Sequence, residues 1–373
     1  MRAREAGITI GEGTPGPLNA ITDVAGVRVG HTTLIEGDGP LQIGTGPVRT
    51  GVTVVIPPGS IWEEPLFAGC HRLNGNGELT GLEWVRESGM LTSPVGLTNT
   101  HSVGVVRDAL IAHELEQRGP EAGYYWSLPV VGETWDGMLN DINGFHVKSE
   151  HVAQAIGAAG DGPVPEGGVG SGTGMVCHGF KGGIGTASRV QPEDEGGYTV
   201  GVLVQANHGR RERFAVNGAP VGREIGPDEI PTPGSTSSGP AAGSGSIIVV
   251  VATDAPLLPM QCDRLAQRAG LGVGRTGGVG EHTSGDLFFC FSTGNRATTA
   301  VELDRRPPVT VPVQMLSDSY ITGLFDAVVE STEEAIVNAV LAADTMVGRD
   351  GVTAYGLSDE RLRAALEHYE RAG

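Results

Sequence analysis

The stretch 226–253 reads GPDEIPTPGSTSSGPAAGSG and then SIIVVVAT, and it joins two segments of opposite character. Residues 226–245 are nearly all Pro, Gly, Ser, Thr and Ala. They cannot bury enough apolar surface to offset the entropy lost on ordering, which predicts a flexible loop. Residues 246–253 form a continuous apolar run rich in β-branched side chains, which predicts a strand covered on both faces. The chain therefore passes from loop to core strand between Gly245 and Ser246.

Two interpretations of this junction are open from the residues alone. The first is a Ser/Gly linker that leads into an ordinary strand, and composition by itself favours it. The second is a self-cleaving precursor, because such a protein places its nucleophile at the first position of a core strand. A cut before Ser246 would give that one residue both a hydroxyl and a free α-amine.

Length and composition indicate a folded chain with many tight turns. The 373 residues allow a large core in one domain or two. The chain has 60 glycines without a collagen period, and 39% of its residues are hydrophobic. The segment 226–245 falls between two predicted strands. It is therefore expected to be a loop inside a single domain spanning 1–373.

The charge and the scattered ligand-type residues exclude several functions. The net charge of −19 argues against nucleic-acid and membrane partners, because it repels phosphates and anionic lipid. No HxH or HExxH pair occurs, and the glycine-rich stretches match neither a P-loop nor a well-placed dinucleotide motif, so we expect no metal and no cofactor. Cys177 and Cys290 are predicted to be buried and free. Without an apolar leader the chain is expected to be cytoplasmic, or periplasmic if a signal peptide was removed.

Strand-like and helix-like segments alternate along the chain. Strands are predicted at 52–56, 199–205 and 287–292, and a helix at 103–119. Ser331 and Glu334 form a capping-box pattern that predicts a helix ending at Gly348, and Ser358 is expected to cap a last helix. This alternation predicts a layered α/β or α+β fold.

Six short motifs then occur in a fixed order. They are 74–81 (NGNGELTG), 98–104 (TNTHSVG), 140–146 (NDINGFH), 172–178 (GTGMVCH), 180–186 (FKGGIGT) and 246–257 (SIIVVVATDAPL). Each motif alone is weak, but together they resemble the DmpA family over residues 19–355. This family is the L-aminopeptidase/D-amidase/D-esterase group, which includes the β-peptidyl aminopeptidases.

The resemblance implies an architecture and a maturation step. The fold would be an αββα sandwich similar to the N-terminal-nucleophile hydrolases but with different strand connectivity. One precursor would cleave itself into an α chain, 1–245, and a β chain, 246–373. The αβ units would form a homo-oligomer, a homotetramer by family resemblance.

The resemblance also implies the chemistry of Ser246. Its hydroxyl would first attack the Gly245 carbonyl and, after cleavage, the substrate carbonyl. A serine needs an adjacent base, and a freed α-amine, with a reference pKa of about 7.7–8.0, can be that base. No histidine is then required.

Supporting roles fall on five further residues by the same resemblance. Asn207 would donate to the oxyanion, Ser284 would bond the nucleophile and its amine, and Asp286 would orient that network. Glu133 would bind the free ammonium of the substrate, and Trp135 would form a pocket wall. Without the family these are a strand-end Asn, a Ser-Gly-Asp turn and a surface acid beside a turn.

The function expected from this sequence is a serine aminopeptidase/amidase. It would release N-terminal residues from short peptides, amides or esters that carry a free amine, through an acyl-enzyme on Ser246. One alternative is an acyltransferase of similar layered fold. The other is a non-catalytic scaffold protein that stays uncleaved.

Overall fold

The structure is a computed structural model, and it describes residues 1–119, 123, 125–234, 245–296 and 309–369. The strands of the two main sheets are β1 (Arg28–Glu36), β2 (Val48–Ile56), β3 (Leu66–Gly75), β4 (Met90–Leu91), β5 (Val95–Asn99), β6 (Val130–Thr134), β9 (Gly183–Val190), β10 (Thr199–Asn207), β11 (Ser246–Thr253) and β12 (Gly285–Ser292). Short hairpins are formed by β7 (Val176–Cys177) with β8 (Phe180–Lys181), and by β13 (Met346–Val347) with β14 (Thr353–Ala354). The helices are α1 (Leu82–Ser88), α2 (Val103–Arg118), α3 (Ser149–Gly157), α4 (Val221–Glu224), α5 (Pro259–Arg275), α6 (Ile321–Leu341) and α7 (Asp359–His368).

Two sheets lie at the centre of the molecule. The larger has the strand order β4-β3-β12-β11-β10-β9, and the smaller has the order β1-β2-β5-β6. In the larger sheet, β11 runs parallel to β12 and antiparallel to β10. The first residue of β11 therefore lies beside the last residue of β10 and the first residue of β12.

Side chains on alternate positions of β11 face two different cores, as the period of a strand requires. Ile247 and Val249 point to the core shared with α5 and α6, whereas Ile248 and Val250 point to the core between the sheets. A third core joins the small sheet to α2 and α3. The layers are helix, sheet, sheet and helix, which confirms the predicted layered αββα class.

The predicted strands are confirmed and are longer than expected. The strand predicted at 199–205 continues to Asn207, and the strand predicted at 287–292 begins at Gly285. Asn207 and Asp286 are therefore strand residues rather than loop residues. The helix at 103–119 is confirmed as α2, which ends at Gly119, and the Ser358 hydroxyl accepts the Arg361 N–H at 3.2 Å as the cap of α7.

The predicted helix start at Ser331 and Glu334 is wrong. The apolar pattern continues upstream through Ile321 and Leu324, so α6 begins ten residues earlier and both capping-box residues lie fully buried inside it. The helix ends at Leu341 rather than at Gly348. Its buried carboxylates pair with arginines instead of capping a terminus.

The predicted flexible loop 226–245 is described only in part. Residues 235–244 lie outside the described residues. In the first part, the Ile230 carbonyl accepts an N–H of Arg211 at 2.9 Å, and Glu229 forms an ion pair with Arg361. Separately, no helix in the described part of the chain is long and apolar enough to cross a membrane.

Candidate active site

Ser246 lies where the ends of three strands meet. In the strand register it pairs with Asn207 of β10 on one side and with Gly285 of β12 on the other. The Gly285 N–H donates to Ser246 Oγ at 3.0 Å, and Ser246 is buried. The backbone therefore fixes the hydroxyl between the two strands that carry the other predicted catalytic residues.

Gly245 is packed against the neighbouring strand and has no room for a side chain. A Cβ atom at this position would lie 1.8 Å from the carbonyl oxygen of Asn207. That oxygen is backbone and cannot rotate away, so only glycine lets the chain approach β10 this closely. The close packing against β10 therefore requires glycine at the residue before the predicted cut.

The side-chain amide of Asn207 is held in one orientation. Its Oδ1 accepts the Val176 N–H at 2.7 Å, and its Nδ2 donates to the Trp135 carbonyl at 2.8 Å. An amide nitrogen carries two hydrogens, so one N–H of Asn207 is not used by this pair of contacts. Because Asn207 pairs directly with Ser246 in the strand register, its side chain belongs to the position beside the predicted nucleophile, and its role as oxyanion donor stays a prediction.

Ser284 and Asp286 flank Gly285, directly beside Ser246. The Ser284 hydroxyl donates to Asp286 Oδ1 at 2.6 Å, so in this unprocessed chain its proton is directed to the carboxylate and not to the nucleophile. The nearby Ile247 N–H also favours the charged carboxylate. Burial raises the pKa of Asp286 to about 6, although the Ser284 hydroxyl and this N–H oppose the shift. The side chain of Asp286 is therefore long enough to reach the Ser284 hydroxyl.

Glu133 is a buried carboxylate at the end of β6. Its Oε1 accepts the Glu78 N–H at 2.9 Å, and its Oε2 accepts the Thr100 hydroxyl at 2.5 Å. Burial raises the pKa of Glu133, while these hydrogen bonds lower it. Sequence reasoning missed Thr100 and the Glu78 N–H, because no local pattern links them to residue 133.

Glu133 and Ser246 line the same cavity, which has a volume of about 450 Å³. Gly245, Thr100 and the half-buried Trp135 also line it. The structure thus brings the predicted nucleophile, cleavage site, ammonium-binding residue and pocket wall together. Asn207, Ser284 and Asp286 lie behind the nucleophile on the adjoining strands.

Behind Trp135 lies a buried acid that the sequence did not single out. Asp136 accepts the side-chain N–H groups of Asn99 at 3.0 Å and Asn140 at 3.1 Å. Burial raises its pKa to about 6. The two asparagines belong to the motifs 98–104 and 140–146, so these motifs support the wall of the cavity.

Three ligand-type side chains also meet behind Asn207, although the sequence shows no metal-ligand spacing. The candidate ligand atoms of Cys177, His178 and His208 lie within 4.8 Å of one another. Burial raises the pKa of Cys177 to about 12 and lowers that of His178 to about 4. The cluster is therefore neutral at pH 7, and the His178 ring stacks on Phe214 at 4.8 Å. We assign it to packing, and the absence of a metal stays a prediction.

The comparisons with known proteins agree with this geometry. The sequence model of Peptidase family S58 matches residues 19–354. Beta-peptidyl aminopeptidase BapA of Sphingosinicella microcystinivorans is 50% identical over 99% of this chain and 93% of its own length. BapA of Sphingosinicella xenopeptidilytica is 44% identical over 98% of this chain and 91% of its own length.

Solved structures show the same fold. A Burkholderia sp. beta-aminopeptidase superposes with a TM-score of 0.91 at 52% identity, covering 99% of each chain. The L-aminopeptidase D-Ala-esterase/amidase of Ochrobactrum anthropi has a TM-score of 0.90 at 43% identity and covers 100% of this chain and 99% of its own. It is described as a prototype for the serine aminopeptidases and as a new variant among the Ntn hydrolase fold. The expected resemblance is confirmed: the chain belongs to peptidase family S58, and it is a hydrolase of the serine aminopeptidase class.

Proposed function

We propose that this chain is a precursor that cleaves itself between Gly245 and Ser246, and that the processed enzyme releases N-terminal residues through an acyl-enzyme on Ser246. One observation carries the proposal. Ser246 begins a core strand, its Oγ is held by the Gly285 N–H at 3.0 Å, and it lines a cavity together with Gly245 and Glu133. The predicted division into chains 1–245 and 246–373 follows from this cut.

Self-cleavage needs no group from outside the chain except water. Ser246 Oγ attacks the Gly245 carbonyl carbon and loses its proton. The C–N bond breaks, and the nitrogen takes up a proton and becomes the free α-amine of Ser246. The resulting ester joins Gly245 to Ser246 Oγ, and water hydrolyses it to a Gly245 carboxylate and a free hydroxyl.

Turnover uses the groups that the cut sets free. The Ser246 amine accepts the hydroxyl proton while Oγ attacks the substrate carbonyl. The unused N–H of Asn207 stabilises the oxyanion, and Ser284 and Asp286 hold the amine beside the nucleophile. The leaving amine takes the proton from the Ser246 amine, and water then releases the acyl group.

Glu133 sets the requirement for a free amine. A carboxylate in a partly apolar cavity forms a strong charge-assisted hydrogen bond with an ammonium group. We propose that N-terminal β-residues of short peptides, amides or esters are accepted, since a relative at 50% identity is named a beta-peptidyl aminopeptidase. A panel of L-, D- and β-aminoacyl p-nitroanilides tests this, and hydrolysis of only the L-α members contradicts it.

Intact-mass spectrometry of the purified protein tests the cut. We expect two masses that correspond to 1–245 and 246–373, and one full-length, inactive chain for Ser246→Ala. Ser246→Cys is the matched control, because it keeps a nucleophile at the same position and is expected to cleave. Active wild-type protein that remains one chain contradicts the proposal, and inactive wild-type protein that remains one chain favours the scaffold.

We further propose that the αβ units assemble into a homo-oligomer, a homotetramer by family resemblance. Light scattering coupled to gel filtration measures the mass of the processed protein. A mass of one αβ unit over a wide concentration range contradicts the assembly.

A further inference from the structure

A second cavity adjoins the one lined by Ser246 and Glu133, which is called the substrate cavity below. It has a volume of about 210 Å³, and Trp135 lines both cavities. Thr100 lines the substrate cavity and its neighbour in sequence, His101, lines the second one. Sites for whole drug-sized ligands have volumes of about 300–1,000 Å³, so this smaller cavity suits one small group next to the substrate.

Two buried polar atoms of this cavity have no hydrogen-bond partner among the residues that the structure describes. They are Nε of Arg349 and Oδ1 of Asp141, and both residues line the cavity. Both atoms are buried in the cavity wall and have almost no accessible surface, so they cannot themselves contact a ligand. The Arg349 side chain is 31% exposed, so its terminal Nη groups are the donors that can face the cavity.

The two charged residues of the cavity wall, Arg349 and Asp141, differ in how far they are already paired. Asp141 Oδ2 already accepts the Gly44 N–H at 2.7 Å and is 2.9 Å from His146 Nε2. The nearest carboxylate oxygen to the Arg349 guanidinium is that of Asp350, at 3.8 Å and half exposed. Among the described residues no hydrogen bond uses the Arg349 guanidinium, whereas one carboxylate oxygen of Asp141 already has two partners.

Arg349 is held in place by its backbone. Its N–H donates to the Leu139 carbonyl at 2.9 Å, and the next N–H, that of Asp350, donates to Gly39 at 2.8 Å. The turn is thus fixed against the segment that follows Trp135. The point from which the Arg349 side chain extends is therefore fixed, and binding an anion would restrict only its side-chain rotamers.

We propose that this second cavity binds the leaving part of a short peptide, with Arg349 as the residue that recognises its C-terminal carboxylate. Guanidinium and carboxylate match in planar, two-point geometry. Dipeptides with a free carboxyl terminus are then preferred over the corresponding peptide amides. This inference rests on the proposed aminopeptidase mechanism.

The test uses the processed wild-type enzyme and one dipeptide in two forms, β-alanyl-leucine and β-alanyl-leucinamide. We expect wild type to prefer the free acid, and we expect Arg349→Met to lower the ratio of kcat/KM values for acid over amide by about tenfold, a typical size for a hydrogen bond to a charged group. Arg349→Lys is expected to recover part of the ratio. Arg107→Met removes a surface arginine paired with Asp108 and is expected to keep the wild-type ratio.

Two results overturn the inference. One is a wild-type ratio near one, and the other is the same ratio in wild type and Arg349→Met. β-Alanyl p-nitroanilide, which has no carboxylate, separates this failure from that of the proposed function. If wild type does not hydrolyse it, the aminopeptidase proposal fails; if it does, only the assignment of Arg349 is at stake.

Discussion

Two groups of buried or half-buried carboxylates in this molecule have different kinds of hydrogen-bond partner. On α6, Glu334 is fully buried and bonds Arg189 Nη2 at 2.7 Å and Arg4 Nε at 3.0 Å, while Glu330 bonds Arg189 Nε at 2.9 Å. At the active site, Glu133 and Asp286 accept only backbone N–H and hydroxyl groups. Among the described residues neither forms an ion pair with an arginine or lysine.

The pKa directions follow from this difference. Burial raises the pKa of Glu330, but the N–H groups of Glu12 and Gly13 and the guanidinium of Arg189 outweigh it and leave the pKa lowered. Burial dominates at Glu133 and Asp286, and their pKa values are raised. The α6 carboxylates are satisfied within the fold, whereas the site carboxylates are ready for a cation that the fold does not supply. In the proposed mechanism, a substrate ammonium and the protonated amine of Ser246 are such cations.

The largest effect is expected from breaking the satisfied group. Arg189→Met removes the partner shared by Glu334, which is fully buried, and Glu330, which is half-buried, so we expect a loss of about 3–5 kcal/mol in the free energy of unfolding. Urea denaturation of the unprocessed Ser246→Ala chain measures it, because a single chain avoids dissociation of the cleaved halves.

The exposed pair of Arg107 and Asp108 offers the control. Arg107→Met is expected to change the free energy of unfolding by less than about 1 kcal/mol. In the processed enzyme, kcat/KM of Arg189→Met is expected to stay close to that of wild type below its unfolding temperature. Equal stabilities for the two variants would remove the distinction between the two carboxylate groups.

The next effect is on rate. Asn207→Ala removes the donor beside Ser246, and we expect kcat to fall by about 10²–10³, which is about 2.7–4 kcal/mol of transition-state stabilisation. Asn338→Ala is the matched control, because this buried amide of α6 bonds only backbone groups of Ala3 and Thr186. A similar loss of kcat in both variants would mean that Asn207 acts through the fold.

The next effect in size is the change in stability with pH that the titration of Asp286 causes. Its pKa is about 6 in the folded chain and 3.8 in the unfolded chain, so the folded state binds more protons between these values. Stability from this group is therefore fully present below about pH 3.8 and is lost as the pH rises to about 6, by at most about 3 kcal/mol.

Asp286→Asn in the Ser246→Ala background tests that sign. Relative to its parent, the variant is expected to gain stability between pH 4 and pH 7 in urea denaturation. An unchanged difference between the two proteins across this range would show that burial does not penalise the charged form of Asp286.

The smallest expected effect is that of Glu133→Gln. The amide keeps the shape and can still accept the Glu78 N–H through its oxygen, while its NH₂ group can donate to the Thr100 hydroxyl oxygen, but the charge is lost. We expect kcat/KM for amine-bearing substrates to fall by about 10- to 100-fold, mainly through KM. We expect no loss of stability at pH 7, because the charged form is the one that burial disfavours. A destabilised variant with normal KM would place Glu133 in the structural group.

The sequence predicted the strands and the junction at Ser246 because both depend on local composition. The apolar run 246–253 has no other stable place than a covered strand. The family resemblance, which the order of six motifs indicates, implies the roles of Asn207, Ser284 and Asp286, and these roles stay predictions. The start of α6 was missed because Ser331 and Glu334 have the spacing of a capping box. Only the packing of Ile321 and Leu324 in the core shows that the helix begins before them.

By itself the sequence determined the layered fold class and the family, since periodicity and motif order are properties of the chain. Only the tertiary structure decided which groups meet. The register of β10, β11 and β12 puts the Gly285 N–H on Ser246 and leaves no space for a Cβ at residue 245. The packing of the two sheets brings Glu133 of β6 into the same cavity as Ser246. The physical reason is that register and burial arise from contacts between residues far apart in the chain, and these contacts set both distances and pKa values.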